Sequence, residues 1–216
     1  VVSQNKLWTA MAKETAHQIG TPLSSLIGWS ELLKTEKVNP TYIEEINNDI
    51  KRLETITERF SKIGSIPQLT PTDIVQATKN SVQYLEARSS QMISFHSKLL
   101  EGCVFIDLNT ALYSWTIENL IKNSIDAMKG KGDLNIVMED TSHEVYILIS
   151  DTGQGLSKKQ FKTIFETGFT TKKRGWGLGL SLAKRIIEQY HDGKIKVLSS
   201  ELGKGTTFQI TLRKLL

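Results

Sequence analysis

The feature that most constrains this chain is a change of period near residue 64. Upstream of it, Ala12, Ala16, Ile19, Leu23, Leu26, Ser30 and Leu33 follow one another at steps of 4, 3, 4, 3, 4 and 3. Those are the a and d positions of a heptad seam. Ile43, Ile46, Ile50, Leu53, Thr57 and Phe60 repeat the pattern, and between the two runs Lys37 to Pro40 interrupts it. Pro40 and Thr41 suit a turn that feeds a new helix. The spacing predicts an antiparallel helical hairpin over residues 1–66. Two helices of this length cannot bury both apolar stripes against each other alone, so side-by-side dimerisation into a four-helix bundle is expected. A monomeric hairpin packed on the rest of the chain is the alternative.

Gly64, Ser65, Ile66 and Pro67, then Thr70 and Pro71, read as a linker. Beyond it, over residues 67–216, helical and strand patterns mix. Residues 72–88 read as helix with Asp73 near the N-terminus, 93–99 and 104–106 as short strands, and 111–128 as a long helix. Residues 135–139 and 145–150 read as paired strands, 177–190 as a helix, and 194–199 with 206–212 as a closing hairpin. Strands grouped with helices, without strict alternation, predict an α+β chain whose second part is an α/β sandwich.

Three polar patterns interrupt this apolar framework. Asn119, Asn123 and Asp126 step by four and three along the long helix and share one face. Such a stripe, among Leu112, Trp115, Ile121 and Ile125, needs hydrogen-bond partners if buried, or it is a solvated face. Carboxamide oxygens suit Mg²⁺, and carboxamide NH₂ groups suit phosphate oxygens. Asp151, Gly153 and Gly155 follow a strand directly. A carboxylate there can accept from an exocyclic amine, and the glycines let backbone approach a ring. Gly175, Gly177 and Gly179, with Leu178 among them, open a helix in the manner of a phosphate cradle. No strand leads in and no Gly-Lys-Ser/Thr follows, so this is neither a dinucleotide fingerprint nor a P-loop.

In order and spacing these patterns resemble the nucleotide-binding boxes of the GHKL ATPase superfamily, whose Bergerat fold holds ATP beneath a lid. The stretch from Ile164 through Phe169 to Lys172 resembles its lid segment, and Gly203, Gly205 and Thr206 resemble its last glycine box. The likeness implies that Asp151 contacts adenine, Asn123 holds Mg²⁺ and Asn119 touches phosphate, with ATP and Mg²⁺ as the cofactors. In the first half, Ala16, His17, Thr21, Pro22 and Leu23 resemble the phosphoacceptor box of bacterial sensor histidine kinases. With Ala16 and Leu23 at a, His17 falls at b and Thr21 at f, both outside the seam. A neutral imidazole, pKa near ~6.5, is a competent nucleophile at neutral pH. Pro22 predicts a kink just after it. The resemblance implies autophosphorylation on His17, transfer to a response regulator receiver domain, and dephosphorylation of that regulator with Thr21.

Two positions depart from the family pattern. Gln18 stands where an acid usually follows the histidine, and Glu14, one turn earlier, is a candidate to replace it. Asp126 stands where many kinases carry Lys, which leaves Lys172, Lys173 and Arg174 to supply charge from the lid. Gln18 favours a second reading, a pseudo-kinase or dimeric scaffold. A third, ATP hydrolysis as in gyrase-like members, lacks its general base because Asn119 occupies that position.

Composition narrows the partners. Of 216 residues 39% are hydrophobic and 23% charged, ordinary for a globular protein. The net charge of +4 suits anionic ligands, but no Lys/Arg run carries interleaved aromatics, so no nucleic-acid partner is expected. Cys103 is the single cysteine, which suits a reducing compartment. No apolar stretch approaches the ~20 residues of a membrane helix. The expectation is a homodimeric cytoplasmic part of a larger sensor, touching a membrane only through segments outside this stretch.

Overall fold

A computed structural model describes residues 19, 23–36, 38–63, 67–170 and 177–215. His17, Gln18, Glu14, Thr21, Lys172 and Gly175, named above, lie outside the described residues. The chain forms two compact units, Val1–Pro67 and Gln68–Leu216.

In the first unit, α1 spans 23–35 and α2 spans Pro40–Ile63. Asn39 starts α2, its Oδ1 accepting from the Thr41 N–H at 3.0 Å, and Pro40 takes the first helical position where its missing N–H costs nothing. Leu23, Ile43 and Ile50 are buried and Ser30 is 2% exposed. The Ser30 hydroxyl donates to Asn47 Oδ1 at 2.7 Å across the two helices. Other seam positions stay open: Leu26 is 44% exposed, and Ile46 and Leu53 are also exposed. Within one chain the hairpin therefore covers only part of the predicted stripe.

The second unit contains β1 Thr70–Asp73, α3 Ile74–Glu86, β2 Ile93–Lys98, β3 Phe105–Leu108, α4 Thr110–Ala127, β4 Gly132–Asp140, β5 Glu144–Asp151, α5 Gln160–Thr163, α6 Gly179–Arg185, β6 Lys194–Glu201 and β7 Gly205–Arg213. Strand order in the main sheet is β2-β4-β5-β7-β6, with β2 and β4 parallel and the other pairs antiparallel. Strand β5 alternates strictly, burying Val145, Ile147, Ile149 and Asp151, so one face meets the helices and the other does not. Helix α4 packs against α3 on one side, α6 on the other and β5 beneath. Its apolar arc is accordingly wide, with Leu112, Tyr113, Ile117, Leu120 and Ile121 each at most 1% exposed. Residues 119, 123 and 126 occupy the face that remains.

Two predicted boundaries change. Thr70 and Pro71 are not linker. They begin β1, which pairs antiparallel with β3 in a separate two-stranded sheet (Thr70↔Leu108, Asp73↔Phe105). Pro is tolerated at such an edge, and the helix starts only after Asp73, whose Oδ1 accepts from the Val75 N–H at 3.0 Å as N-cap. The helix predicted over 177–190 is α-helical only through Arg185 and continues as a π-helical turn, Ile186–Tyr190. His191 closes that turn. Its Nδ1–H donates to Ile186 O at 2.8 Å, and its Nε2 accepts from the Asn109 N–H at 3.0 Å. Since Asn109 is also the N-cap of α4, the histidine ties the end of this turn to the start of the central helix. Among the described residues no helix is long and apolar enough to cross a membrane.

Candidate functional site

Helix α4 forms one wall of a cavity of about 610 Å³ within the second unit. From its N-terminal toward its C-terminal end the wall presents Asn119, Asn123, Asp126 and Ala127. At 1.5 Å of rise per residue, Asn119 and Ala127 stand about 12 Å apart along the axis. Each end of that span meets a different glycine segment.

At the Ala127 end lies the loop after β5. The Gln154 N–H donates to Ala127 O at 3.1 Å, and a Cβ on Gly153 would sit 2.7 Å from the Ala127 carbonyl carbon. Only glycine permits that approach of loop to helix. Gly155 holds φ +69°, and a Cβ there would collide with Glu201 O, so the loop is also pinned against the end of β6. This packing fixes Asp151, which is 6% exposed. Its Oδ1 accepts from the Gly153 N–H at 2.9 Å. Its Oδ2 is buried with no hydrogen-bond partner, as is the neighbouring Ser124 hydroxyl. Burial pushes the Asp151 carboxyl above its ordinary range, while the Gly153 N–H, the nearby Ser124 hydroxyl and the Thr206 backbone pull the other way. Ser124 and Thr206 lie close enough to act electrostatically without reaching hydrogen-bond geometry at Oδ2.

At the Asn119 end lies the start of α6. Gly179 comes so close that a Cβ would stand 3.2 Å from Asn119 Oδ1. Asn119 Nδ2 is buried without a hydrogen-bond partner. Asn123 Nδ2 donates to Asn119 O at 2.7 Å, so a hard cation there would take the carboxamide oxygen. Gly177, at φ +63°, receives the Gly168 N–H on its carbonyl at 3.1 Å, and a Cβ on it would run into Gly168 and Phe169. The lid stretch at Gly168 and Phe169 is thereby stitched to the glycine segment that opens α6. Leu178 gives α6 no side-chain cap.

Of the sequence-predicted residues, Asn119, Asn123, Asp151, Gly155, Gly177, Leu178, Gly179 and Thr206 line the one cavity, with Gly153 behind Asp151. The polar stripe on α4 faces that cavity, with Asn119 and Asn123 half-buried and Asp126 exposed. Lining residues that were not singled out include Lys122, Gln154, Leu156, Gln160 and Phe208. Gln160 carries a sequence signal, the Ser-x-x-Gln spacing from Ser157, and its Oε1 accepts from Ser157 N and Oγ, both at 2.9 Å. Phe208 is one of the alternating buried positions of β7, and nothing local separates it from ordinary core.

Two of the unpartnered atoms, Asp151 Oδ2 and Asn119 Nδ2, are complementary to a nucleotide. A buried acceptor near the Ala127 end of the wall suits a ring amine, and a buried donor at the Asn119 end suits a phosphate oxygen. The Asn123 carboxamide oxygen would be the protein's oxygen ligand for a Mg²⁺ that arrived with the nucleotide.

Comparison with known proteins agrees with this geometry. The histidine kinase-, DNA gyrase B- and HSP90-like ATPase family matches residues 111–216, and the His kinase A phosphoacceptor domain matches residues 7–66. Sporulation kinase C of Bacillus subtilis is 29% identical over 208 residues, covering 94% of this chain and 48% of that protein. Sporulation kinase E of the same organism is 31% identical over 210 residues, covering 94% of this chain and 28% of its own length. The chain thus spans half or less of these relatives. Histidine kinase ThkA, solved in complex with response regulator protein TrrA, superposes with a TM-score of 0.61 at 25% identity, covering 95% of this chain and 61% of that one. Both matched domains occur in the order of a kinase core. The chain belongs to the bacterial sensor histidine kinases and is their catalytic core, a phosphoacceptor domain followed by a GHKL-type ATPase domain.

Proposed function

We propose that this core binds Mg²⁺-ATP in the α4 cavity, phosphorylates His17 and passes the phosphoryl group to an aspartate of a response regulator. The observation that carries the reading is the pair of buried unpartnered atoms, Asp151 Oδ2 and Asn119 Nδ2, at opposite ends of one trench. Asp151 accepts from the adenine amine, and Gly153 and Gly155 hold the loop that frames the ring. Asn119 donates to a phosphate oxygen, and the carboxamide oxygen of Asn123 holds the cation. Mg²⁺, when bound, neutralises the triphosphate and steadies charge on the transferred group. Phe169 lines the same cavity, and Lys172 and Gly175, from the stretches that resemble the lid and the phosphate cradle, are assigned to the phosphate end.

Residues 1–66 supply the nucleophile and residues 67–216 the nucleotide. His17 attacks through a neutral ring nitrogen, with Gln18 and Glu14 as the groups flanking it. Asn119 has an amide where hydrolytic members place a general base, so attack by water is disfavoured. The exposed seam residues Leu26, Ile46 and Leu53 support a homodimer in which a second hairpin completes the four-helix bundle. The likeness to a kinase solved with its regulator supports a receiver domain as the second partner. Incubation with γ-labelled ATP tests the whole reading. Label on the protein, absent from His17→Gln, is the expected result. Free phosphate without protein label would make the chain a hydrolase, and binding without turnover would make it a scaffold.

A further inference from the structure

We infer that Ser200 is a positioning residue that makes the pocket prefer a 6-amino purine over a 6-oxo purine, by fixing the direction of the Thr206 hydroxyl. The inference rests on the reading of the cavity as an ATP site. Three polar residues lie in one row across the sheet: Asp151 on β5 pairs with Thr206 on β7, and Thr206 pairs with Ser200 on β6. Strict alternation from Val197, which pairs with Phe208, would put Ser199 opposite Thr206. An irregularity between Val197 and Ser199 shifts the register so that Ser200 takes that place instead.

Hydrogen accounting then fixes the polarity. Ser200 Oγ accepts from the Leu156 N–H at 2.7 Å, donates to Gly205 O at 2.8 Å and lies 2.9 Å from Thr206 Oγ1. A carbonyl cannot donate, so the single serine hydrogen goes to Gly205 O. The bond between the two hydroxyls must therefore run from Thr206 to Ser200. Thr206, 5% exposed and part of the cavity lining, then meets a ligand with lone pairs only. Its cross-strand partner is Asp151, whose Oδ2 is buried and unpartnered. Two acceptors side by side match an amino group with two hydrogens. They oppose a carbonyl oxygen, which would leave buried acceptors facing one another.

Calorimetric titration of the 216-residue chain with Mg²⁺-ATP and Mg²⁺-inosine triphosphate tests this, because the two bases differ at position 6 and the adjacent ring nitrogen. Wild type should prefer ATP. Ser200→Ala releases the Thr206 hydrogen and should narrow the ATP-to-inosine preference by about five- to tenfold, the worth of one neutral hydrogen bond. Ser200→Thr, which keeps the hydroxyl, should retain the wild-type ratio. In a Thr206→Val background, Ser200→Ala should change the ratio no further. Equal weakening of both nucleotides, or an unchanged ratio, in Ser200→Ala overturns the inference and leaves Ser200 a tie between loop and strand. If Ser200→Ala does not melt cooperatively, Thr206→Val decides alone: a wild-type ratio there overturns the inference. Failure of wild type to bind ATP would overturn the reading of the cavity itself.

Discussion

Replacing Asp151 by Asn changes one atom and separates two effects that usually travel together. The carboxylate has one oxygen committed to the Gly153 N–H and one buried without a partner. An asparagine keeps its oxygen on Gly153 and turns its NH₂ into the position of Oδ2. An adenine amine then faces a donor. The loss is one hydrogen bond to a charged acceptor, about 1.5–3 kcal/mol, or roughly a 10- to 150-fold weaker Kd for ATP at 1.4 kcal/mol per tenfold. Stability of the ligand-free chain should move the opposite way. Burial raises the folded-state pKa of Asp151 above its unfolded value, so the folded state binds the proton more tightly. The ionised carboxylate therefore opposes folding once pH rises above the unfolded pKa near ~3.9. The substituted carboxamide has no proton to lose, and the Asp151→Asn variant should melt no lower than wild type at pH 7. Calorimetric titration with ATP and a thermal melt of the unliganded chain check both halves. Unchanged ATP affinity in Asp151→Asn would refute the adenine assignment, and lost affinity with a much lower melting temperature would refute the claim that burial of the charge outweighs its hydrogen bonds.

The other expectations concern both halves of the chain. His17→Gln should abolish an acid-labile, base-stable phosphorylation while ATP affinity stays near wild type; label mapped instead to His96, His143 or His191 contradicts the assignment. Thr21→Ala should retain labelling of His17 and transfer to the regulator but lose most regulator dephosphorylation, and equal decay of regulator phosphate with wild type and variant would make Thr21 a local structural residue. Asn123→Asp alters the cation's ligand and should slow transfer more than it weakens ATP binding, as single-turnover labelling against titration will show. The buried His191 is neutral, with burial pulling its pKa below the ordinary value against the hydrogen bond to Ile186. The unfolded chain therefore takes up the proton first, so stability holds above about pH 6.5 and declines as pH falls toward the depressed folded pKa. Melting temperatures between about pH 7.5 and 5.5, a window that brackets the ordinary imidazole pKa, should drop in wild type and less steeply in His191→Gln; parallel slopes refute this.

The fold was legible where local pattern and tertiary role agree. Period 2 in β5 and the apolar arc of α4 predicted elements within a few residues of those observed. Strand β1 was not legible, because Thr70 and Pro71 have the composition of a turn. What makes them a strand is pairing with Phe105 to Leu108, more than thirty residues away in sequence. The π-helical end of the last helix was equally hidden, since the hydrogen bond that closes it comes from the side chain of His191.

The cavity shows the same division at finer grain. Residues that face the cavity break their local pattern, and that is why sequence reveals them. Asn119 and Asn123 are polar on an apolar helix, and Gly155 and Gly177 stand where the backbone needs positive φ. Residues that hold those groups in place obey the pattern instead. Ser200 is an ordinary small polar residue in an edge strand, and alternation counted from Val197 assigns the pocket-facing place to Ser199. Only the register shift past Leu198 puts Ser200 beside Thr206. A neighbour set by strand register has no spacing rule in one chain to betray it. The second layer of this site could be read only once the hydrogen bonds across β5, β7 and β6 were in view.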